Sequence, residues 1–350
     1  MDLSPVSTWV LFDNDDPLFV YEGEWETNPE GVEAINRESI RAGPVFNYTS
    51  RWTRSGGSVS VTFQGNRALL QGTTNLTSSS CSTCPTWTCS VDGQPVPSVA
   101  PSFGLLNNQI LCDSGRVLHE WHTLTLNVTG RGDPLWVDFF RYTPTPIPFL
   151  DPPLTWFVDP LSRAVEYDSS WTNVTGTSAP NRMTNTPGAQ LDFYFIGSSA
   201  AWYGIIPGGS PSIPSRIEWS IDRGPPTSFL LSDFPETNGT LTNQFFFKTP
   251  QLPHESHRLR IVYHGNSSSV PLALDHFIYE ANGNTTGSEW DKLFPTDGGS
   301  QDQAPARKTL AAAQIGGIVG GVVAAAVIIF LLLACMIRRR RKSQRAIQRQ

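Results

Sequence analysis

The sequence contains one long pattern twice within its first 281 residues, and this repeat constrains the fold more than any other feature. Six short blocks recur in the same order, at offsets of 130 to 146 residues. The first-copy blocks start at Phe12, Tyr21, Val59, Ser90, His119 and Val137, and the second-copy blocks start at Phe157, Tyr167, Leu191, Ser220, His254 and Leu274. Because solenoid repeats are about 20–50 residues long, a period of this length indicates two whole domains.

Within each copy the apolar residues alternate with polar ones, as in Val59, Val61 and Phe63. This period of two is typical of strands that bury one face and expose the other. Turns rich in Gly, Pro, Asn and Ser break the runs, and no segment has a convincing helical periodicity. The sequence therefore predicts an all-β fold of two tandem antiparallel β-sandwich (jelly-roll) domains, at residues 8–145 and 150–281.

Two segments belong to the first copy alone. One is a longer stretch between Trp25 and Val59, and the other is a loop that carries most of the cysteines. Between the copies, the Pro-rich residues 143–148 predict a stiff connection.

A run of 23 uncharged, mostly apolar residues from Ile315 to Ile337 ends at five consecutive basic residues. A helix of this length is about 34 Å long, which is enough to cross a hydrocarbon layer of about 30 Å. We predict a polar stalk at 282–310, a transmembrane helix at 311–337 and a basic cytoplasmic tail at 338–350. The lipid bilayer is thus an expected partner, and the expected location is the plasma membrane, crossed once with the N-terminal region outside.

Small residues four apart in the span favour close approach of two helices. These residues are Gly316, Gly317, Gly320 and Gly321, and they predict a possible homodimer through the transmembrane helix.

Seven Asn-x-Ser/Thr sites precede the span, which supports an extracellular orientation. They are Asn47, Asn75, Asn127, Asn173, Asn238, Asn266 and Asn284. Residues 1–9, in contrast, have neither a basic start nor an apolar core, so they are not a signal peptide. Two interpretations stay open: the true start lies upstream, which we favour, or the protein is tail-anchored with residues 1–310 in the cytosol.

Four cysteines outside the span, Cys81, Cys84, Cys89 and Cys112, lie within 32 residues. Outside the cell they are expected to form two disulfides, whose pairing the sequence leaves open. In a reducing compartment they would be a candidate zinc site, although the spacing is irregular for a zinc ribbon. We expect disulfides, no metal and no cofactor.

The chain carries a net charge of −6, and its last 13 residues contain seven basic residues and no acidic one, so residues 1–337 carry −13. Nucleic-acid binding requires a basic face, and the acidic outer region argues against it.

Several repeated motifs resemble those of a family of fungal single-pass surface proteins. They are the Asp-Pro…Tyr…Trp opening, the Phe-x-Gly…Gly middle, the His-x-Leu-x-Leu strand and the closing Asp-x-Phe-x-Tyr. Those proteins have tandem galactose-binding-like jelly-roll domains, one transmembrane helix and a basic tail. The resemblance implies sandwich domains that bind glycans or protein partners with their end loops, and it identifies no ligand-binding residues.

Aromatic residues are the best candidates for sugar contact, because an aromatic face stacks on the apolar face of a pyranose. The repeated Trp25 and Trp171 suggest framework positions. Trp87 and Trp121 have no counterpart in the second copy, and they are the candidate ligand-binding residues.

His122 and His257 are three residues after another histidine and precede a strand, which does not match a helical His-Glu-x-x-His zinc site. We expect both to hydrogen-bond a turn. Asp92 and Asp138 recur in the second copy as Asp222 and Asp275, as framework residues would, so no catalytic residue is predicted.

The sequence thus predicts a non-enzymatic, membrane-anchored surface protein whose tandem sandwiches bind a cell-wall glycan or a protein partner. The alternatives are a membrane-anchored polysaccharide hydrolase, which would need two suitably spaced carboxylates, and a structural tether or sensor that dimerises through its span.

Overall fold

The computed structural model describes residues 8–27, 31–76, 82–97, 99, 102–130, 132–144, 154–174, 181–232, 234 and 239–281. These residues contain 21 β-strands and one α-helix, and the ladders between the strands are antiparallel. All of them belong to one compact unit. The prediction of an all-β antiparallel fold is confirmed.

The strands of the first copy are β1 (Thr8–Asp13), β2 (Phe19–Gly23), β3 (Glu26–Thr27), β4 (Arg51–Thr53), β5 (Gly57–Leu76), β6 (Trp87–Val91), β7 (Gln94–Val96), β8 (Gly104–Asp113), β9 (Glu120–Val128) and β10 (Leu135–Pro144). Those of the second are β11 (Leu154–Val158), β12 (Val165–Tyr167), β13 (Thr172–Asn173), β14 (Arg182–Thr184), β15 (Gln190–Gly197), β16 (Ser199–Ile206), β17 (Ser215–Ile221), β18 (Thr227–Leu231), β19 (Leu241–Lys248), β20 (Glu255–Tyr263) and β21 (Leu272–Ala281). Helix α1 (Gly31–Glu38) and two 3-10 turns (Ile40–Ala42 and Phe46–Tyr48) lie between β3 and β4.

Each copy is a sandwich of a front and a back sheet. The front sheets have the orders β2-β5-β9-β6-β7 and β12-β15-β20-β17-β18. In the first copy β5 continues into the back sheet, whereas two strands, β15 and β16, share this role in the second. At the crossing points, a Cβ on Gly65 or Gly197 would lie 2.2 Å from a backbone oxygen of the adjacent strand. This close approach explains the repeated glycine.

The core lies between the two sheets of each sandwich. Val59, Val61 and Phe63 are at most 2% exposed, and the adjacent strand β9 contributes Leu124 and Leu126 to the same inner face. Each of these side chains contributes about 1.5–3 kcal/mol by leaving water. The alternation found in the sequence thus identifies the inner face of the front sheet.

The two back sheets join edge to edge, because β1 pairs with β11. The result is a continuous path of eight strands, in the order β8-β5-β10-β1-β11-β21-β16-β19. We call this path the shared sheet. The two sandwiches are therefore held together by backbone hydrogen bonds.

The junction has local two-fold symmetry. Val10 pairs with Tyr142 and Trp156 pairs with Tyr279, so Val10 and Trp156 are equivalent positions of the two copies. They also pair with each other, and the register runs symmetrically away from them, with Trp9 opposite Phe157. The two-fold axis therefore passes between Val10 and Trp156.

One helix was not expected from the sequence. In α1, Val32 and Ile35 lie one turn apart and pack with Val45 and Trp136. A helix of eight residues with two buried apolar positions is too short to give a clear 3.6-residue period.

The predicted stalk, transmembrane helix and tail lie outside the described residues, as do the span residues Gly316, Gly317, Gly320 and Gly321. Most of the Pro-rich connection lies outside them too. Within the described part of the chain, no helix has the length and apolar character required to cross a bilayer.

Candidate functional site

The outer face of the shared sheet, opposite the sandwich cores, is apolar at the junction. Side chains from both copies form a separate buried cluster there, made of Trp9, Leu11, Leu69, Phe139, Phe157 and Ile278. Strands normally expose one face of such a sheet, so an apolar outer face indicates a cover.

That cover is residues 40–48 of the first copy's insertion, which we call the strap. On the first-copy side, the Asn108 side chain donates to the backbone oxygens of Ala42 (2.8 Å) and Pro44 (3.0 Å). Asn107 donates in the same way to Gly43 (2.8 Å). The backbone N–H of Phe46 donates to the buried Asp138 carboxylate (3.0 Å). The strap is thus anchored to its own sandwich.

The strap is also anchored to the second sandwich. The Asn243 side chain donates to the Pro44 oxygen (3.2 Å), and Gln244 donates to the Ile40 oxygen (3.0 Å). The Thr242 hydroxyl lies 3.3 Å from the Arg41 oxygen. The strap therefore ties β8 to β19 across the junction.

Asn108 and Asn243 occupy matching positions in the two copies. Both have left-handed backbones, with φ of 56° and 55° respectively, a conformation that asparagine tolerates better than most residues. Both side chains reach the same carbonyl, that of Pro44. The local two-fold symmetry thus explains how one carbonyl is bound from both sides.

Between the strap and the shared sheet lies a cavity of about 430 Å³, the strap cavity. Its apolar lining includes Leu11, Ile110, Phe139, Phe157, Tyr203 and Ile278. Its polar lining includes Gln71, Asn108, Arg141, Asn181, Asp275 and His276. This volume and mixed lining are typical of a small-ligand site.

An aromatic stack lines one side of the strap cavity. The His276 ring is stacked with Phe157 (centroids 4.2 Å apart) and with Tyr203 (4.7 Å, planes 8° apart). Burial, with smaller effects from Tyr48 and Asp138, raises the pKa of Tyr203 to about 12. Its hydroxyl is therefore protonated near neutral pH and can donate a hydrogen bond.

Among the residues that the structure describes, three polar atoms at the cavity have no hydrogen-bond partner: Gln71 Oε1, Asn181 Oδ1 and Arg141 Nε. Gln71 and Asn181 are only 6% and 3% exposed. The other end of the Gln71 amide donates to the Asn108 backbone oxygen (3.0 Å), which fixes the amide's orientation. Buried polar atoms are normally paired, so three unpaired ones around a cavity indicate a place where a ligand supplies the partners.

Arg141 projects from β10 and packs against aromatic rings from both copies. Its guanidinium lies 4.1 Å from the Phe157 centroid and 5.1 Å from that of Trp9. Desolvation lowers the pKa of Arg141, and the nearby Asp159 and Asp275 oppose that shift. Arginine stays charged near neutral pH, so the cavity contains a partly buried cation.

A second cavity of about 300 Å³ lies on the second-copy side of the strap. It shares Phe46 and Tyr203 with the strap cavity and adds Tyr48 and Phe245, which are 64% and 51% exposed. Aromatic surface thus continues along the groove beside the strap.

The tryptophans singled out in the sequence lie elsewhere. Trp87 is half-buried against the first-copy core, and its indole N–H donates to the Leu111 oxygen (3.0 Å). Trp121 is 67% exposed, at the start of β9 on the front sheet. Neither lines the strap cavity, and the ligand-binding role of both stays a prediction. Repeated Trp25 and Trp171 pack on Tyr21 and Tyr167, as framework residues do.

The expected disulfide is confirmed for Cys89 and Cys112, which are bonded to each other. Cys84 is also disulfide-bonded, whereas Cys81 lies outside the described residues. Among the residues that the structure describes, no group of His, Cys, Asp or Glu could hold a metal ion.

The predicted glycosylation sites differ in their exposure to solvent. Asn47, Asn127, Asn173 and Asn266 are exposed and Asn75 is half-buried, while Asn238 and Asn284 lie outside the described residues. Asn47 lies in the strap, where its amide donates to Asp13 (2.8 Å). Their glycosylation stays a prediction.

The two repeated histidines hydrogen-bond turns, as expected. His122 lies 2.7 Å from the Asp92 carboxylate and 2.9 Å from the Leu118 oxygen, and His257 has equivalent contacts with Asp222 and Pro253. Desolvation lowers the pKa of His122, but the hydrogen bonds to Asp92 and Leu118 outweigh it, so the net shift is upward.

The recurring aspartates act as acceptors for the framework. Burial raises the pKa of Asp138 well above its usual range, and Asp138 accepts the Phe46 N–H. Asp275 accepts the Asn243 N–H at 2.6 Å. Both carboxylates thus hold the segments that form the strap cavity.

The strap cavity was not expected from the sequence, although one repeated block marks it. Residues 107–109 (Asn-Asn-Gln) and 242–244 (Thr-Asn-Gln) form a seventh repeated block, with the offset of 135 residues that the histidine block also has. A polar block that recurs inside strands indicates a repeated hydrogen-bonding role.

No family model and no curated protein matches this chain. Among solved structures, the chain is similar to the CBM22-1–CBM22-2 tandem domain of Paenibacillus barcinonensis Xyn10C (11% identity, 81% of this chain and 100% of that one, TM-score 0.26). It is also similar to the ANXUR1 extracellular domain from Arabidopsis thaliana (9%, 67% and 84%, 0.25) and to a family two carbohydrate esterase from Cellvibrio japonicus (17%, 37% and 35%, 0.28). The chain spans about a third of the length of the two carbohydrate esterases that it matches.

Proposed function

We propose that this protein is a non-enzymatic, membrane-anchored surface protein that binds a glycan in the strap cavity. The observation that carries the proposal is the pairing of an aromatic stack with buried, unpartnered polar atoms around one cavity. The anchoring part rests on the apolar run at 311–337 and the sequons before it.

A sugar ring matches both halves of this lining. Its C–H face packs on an aromatic ring, whose face carries partial negative charge. Each sugar hydroxyl is both donor and acceptor, so it can donate to Gln71 Oε1 or Asn181 Oδ1 and accept from Arg141 Nε–H. A purely apolar ligand would leave these atoms unpaired, at about 1–3 kcal/mol each.

The arrangement of the carboxylates supports a binding protein over a hydrolase. Asp138 and Asp275 accept backbone N–H groups, and Asp92 and Asp222 hold the repeated histidines. A glycosidase needs one carboxyl group free to protonate the leaving oxygen and a second one to act as nucleophile or base.

The test is glycan-array binding by the full chain in detergent micelles. We expect Asn181→Leu, which removes one unpartnered acceptor at similar side-chain volume, to lose at least about tenfold in affinity. Trp121→Ala is the matched control, because it removes an exposed aromatic far from the strap. Loss of binding with Trp121→Ala and not with Asn181→Leu would move the site to the front sheet. A blank array would contradict the proposal.

A further inference from the structure

Arg141 is a cation that lines the strap cavity. Within the described part of the chain, its guanidinium forms no hydrogen bond and no ion pair, and its Nε is buried and unpartnered. The nearby Arg67 differs, because it binds the Asp113 carboxylate through two nitrogens (3.1 and 2.6 Å). Of these two neighbouring arginines, only Arg67 is paired with a carboxylate in the described part of the chain.

Two carboxylates lie close enough to Arg141 to attract its charge, and each accepts a hydrogen bond from another residue. Asp159 accepts the Trp9 indole N–H (3.1 Å), and Asp275 accepts the Asn243 N–H (2.6 Å). A partly buried charge without a partner opposes folding, and it is tolerated where function requires it. Arg141 is thus available to an anion that enters the cavity.

We propose that the strap cavity binds a uronic acid residue of a glycan, with the sugar carboxylate paired to Arg141. This inference rests on the proposed glycan-binding function and names the class of sugar. A guanidinium presents its N–H donors in the planar fork that matches a carboxylate. The Phe157 ring, 4.1 Å from the guanidinium carbon, fixes the plane of that fork.

The second copy offers no equivalent group. Arg141 and Ile278 are matching positions, since each lies one residue before the paired tyrosine, Tyr142 or Tyr279. Residues 1–337 also carry a net charge of −13, so long-range attraction does not favour an acidic ligand. The affinity must come from the local pair with Arg141, and one carboxylate is recognised per chain.

The experiment compares two ligands by calorimetry on the full chain in detergent micelles. One is an oligouronide, and the other is the same oligosaccharide with its carboxylates reduced to primary alcohols. The variants are Arg141→Met, which keeps an apolar stem between the aromatic rings, and Arg216→Met, which removes an exposed front-sheet charge as a control. The basic tail is present in every variant, so its contribution is constant.

We expect the wild type to bind the oligouronide about 10- to 100-fold more tightly than the reduced ligand. Arg141→Met should lose that preference and Arg216→Met should keep it. Equal binding of both ligands by the wild type would overturn the uronate assignment and leave glycan binding intact, whereas binding of neither would overturn both. Tighter binding of a sulfated oligosaccharide than of the oligouronide would also overturn the assignment. The ligand comparison uses the wild type, so it holds even if Arg141→Met fails to fold.

Discussion

Substitution of Gly43, at the centre of the strap, should separate the stability of the junction from that of the sandwiches. Gly43 has φ of +74°, and a Cβ there would lie 2.2 Å from the backbone oxygen of Asn243. Gly209 is the matched control, because its φ is +73° and a Cβ there would meet nothing within 4 Å. Both alanine variants place a Cβ on a backbone of positive φ. Only Gly43→Ala adds the clash with β19, and the ψ of −178° at Gly43 lies in a region that is essentially restricted to glycine.

The expected losses follow from these contacts. At Gly209 the strain of a positive φ costs about 1–2 kcal/mol, and the reduced entropy of the unfolded chain offsets about 0.4–1 kcal/mol of it. Gly209→Ala should therefore lower the free energy of unfolding by about 1 kcal/mol. In Gly43→Ala the strap must move away from β19 and lose its hydrogen bonds to Thr242, Asn243 and Gln244, each worth about 0.5–1.5 kcal/mol. Its total loss should be about 2–5 kcal/mol.

The assay is urea unfolding of the full chain in detergent micelles, followed by tryptophan fluorescence. Hydrogen exchange of backbone amides shows which segments are destabilised. Gly43→Ala should accelerate exchange in residues 40–48 and 241–248. Equal losses for the two variants, with unchanged exchange in both segments, would refute the argument that the strap joins the sandwiches.

Three further outcomes are expected. Asn181→Leu should raise the free energy of unfolding by about 1–3 kcal/mol while glycan affinity falls, because it removes a buried unpartnered acceptor; a loss of stability in thermal unfolding would contradict this. The His122–Asp92 contact should stabilise the fold most between about pH 4 and 6.5. The pKa of His122 is raised in the folded state, so its contribution to stability is lost as pH rises through that pKa. The pKa of Asp92 is lowered in the folded state, so its contribution is lost as pH falls through that pKa. A difference between wild type and His122→Asn that does not vary from pH 5 to 9 would be the opposing result. Gly317→Ile with Gly321→Ile should weaken self-association of the full chain in micelles, measured by crosslinking; unchanged dimer content would remove the basis for a helix dimer.

The sandwiches were predictable because they depend on local periodicity. Val59, Val61 and Phe63 alternate in the sequence and bury one face of β5, and the same pattern recurs near residue 191. The repeat then supplies the second sandwich without further information.

The pairing of β1 with β11 was harder to predict, since it joins segments about 150 residues apart. The sequence does contain one signal for this pairing, because residues 9–12 (Trp-Val-Leu-Phe) are apolar without alternation. An unbroken apolar strand is buried on both faces, and in β1 the outer face lies at the junction.

The strap cavity was not predictable from any single residue. It depends on Asn108 and Asn243 reaching one carbonyl, that of Pro44, across the local two-fold axis. Composition and period describe segments one at a time, whereas this site exists only where three segments meet.

The strap comes from one copy alone, and it therefore breaks the symmetry of the surface that it covers. Arg141 on one side of the axis corresponds to Ile278 on the other, and Phe139 corresponds to His276. A linear polymer lying across the junction would meet different chemistry at its two ends. If the strap cavity binds a glycan as proposed, it would distinguish the reducing end from the non-reducing end and would bind the chain in one orientation.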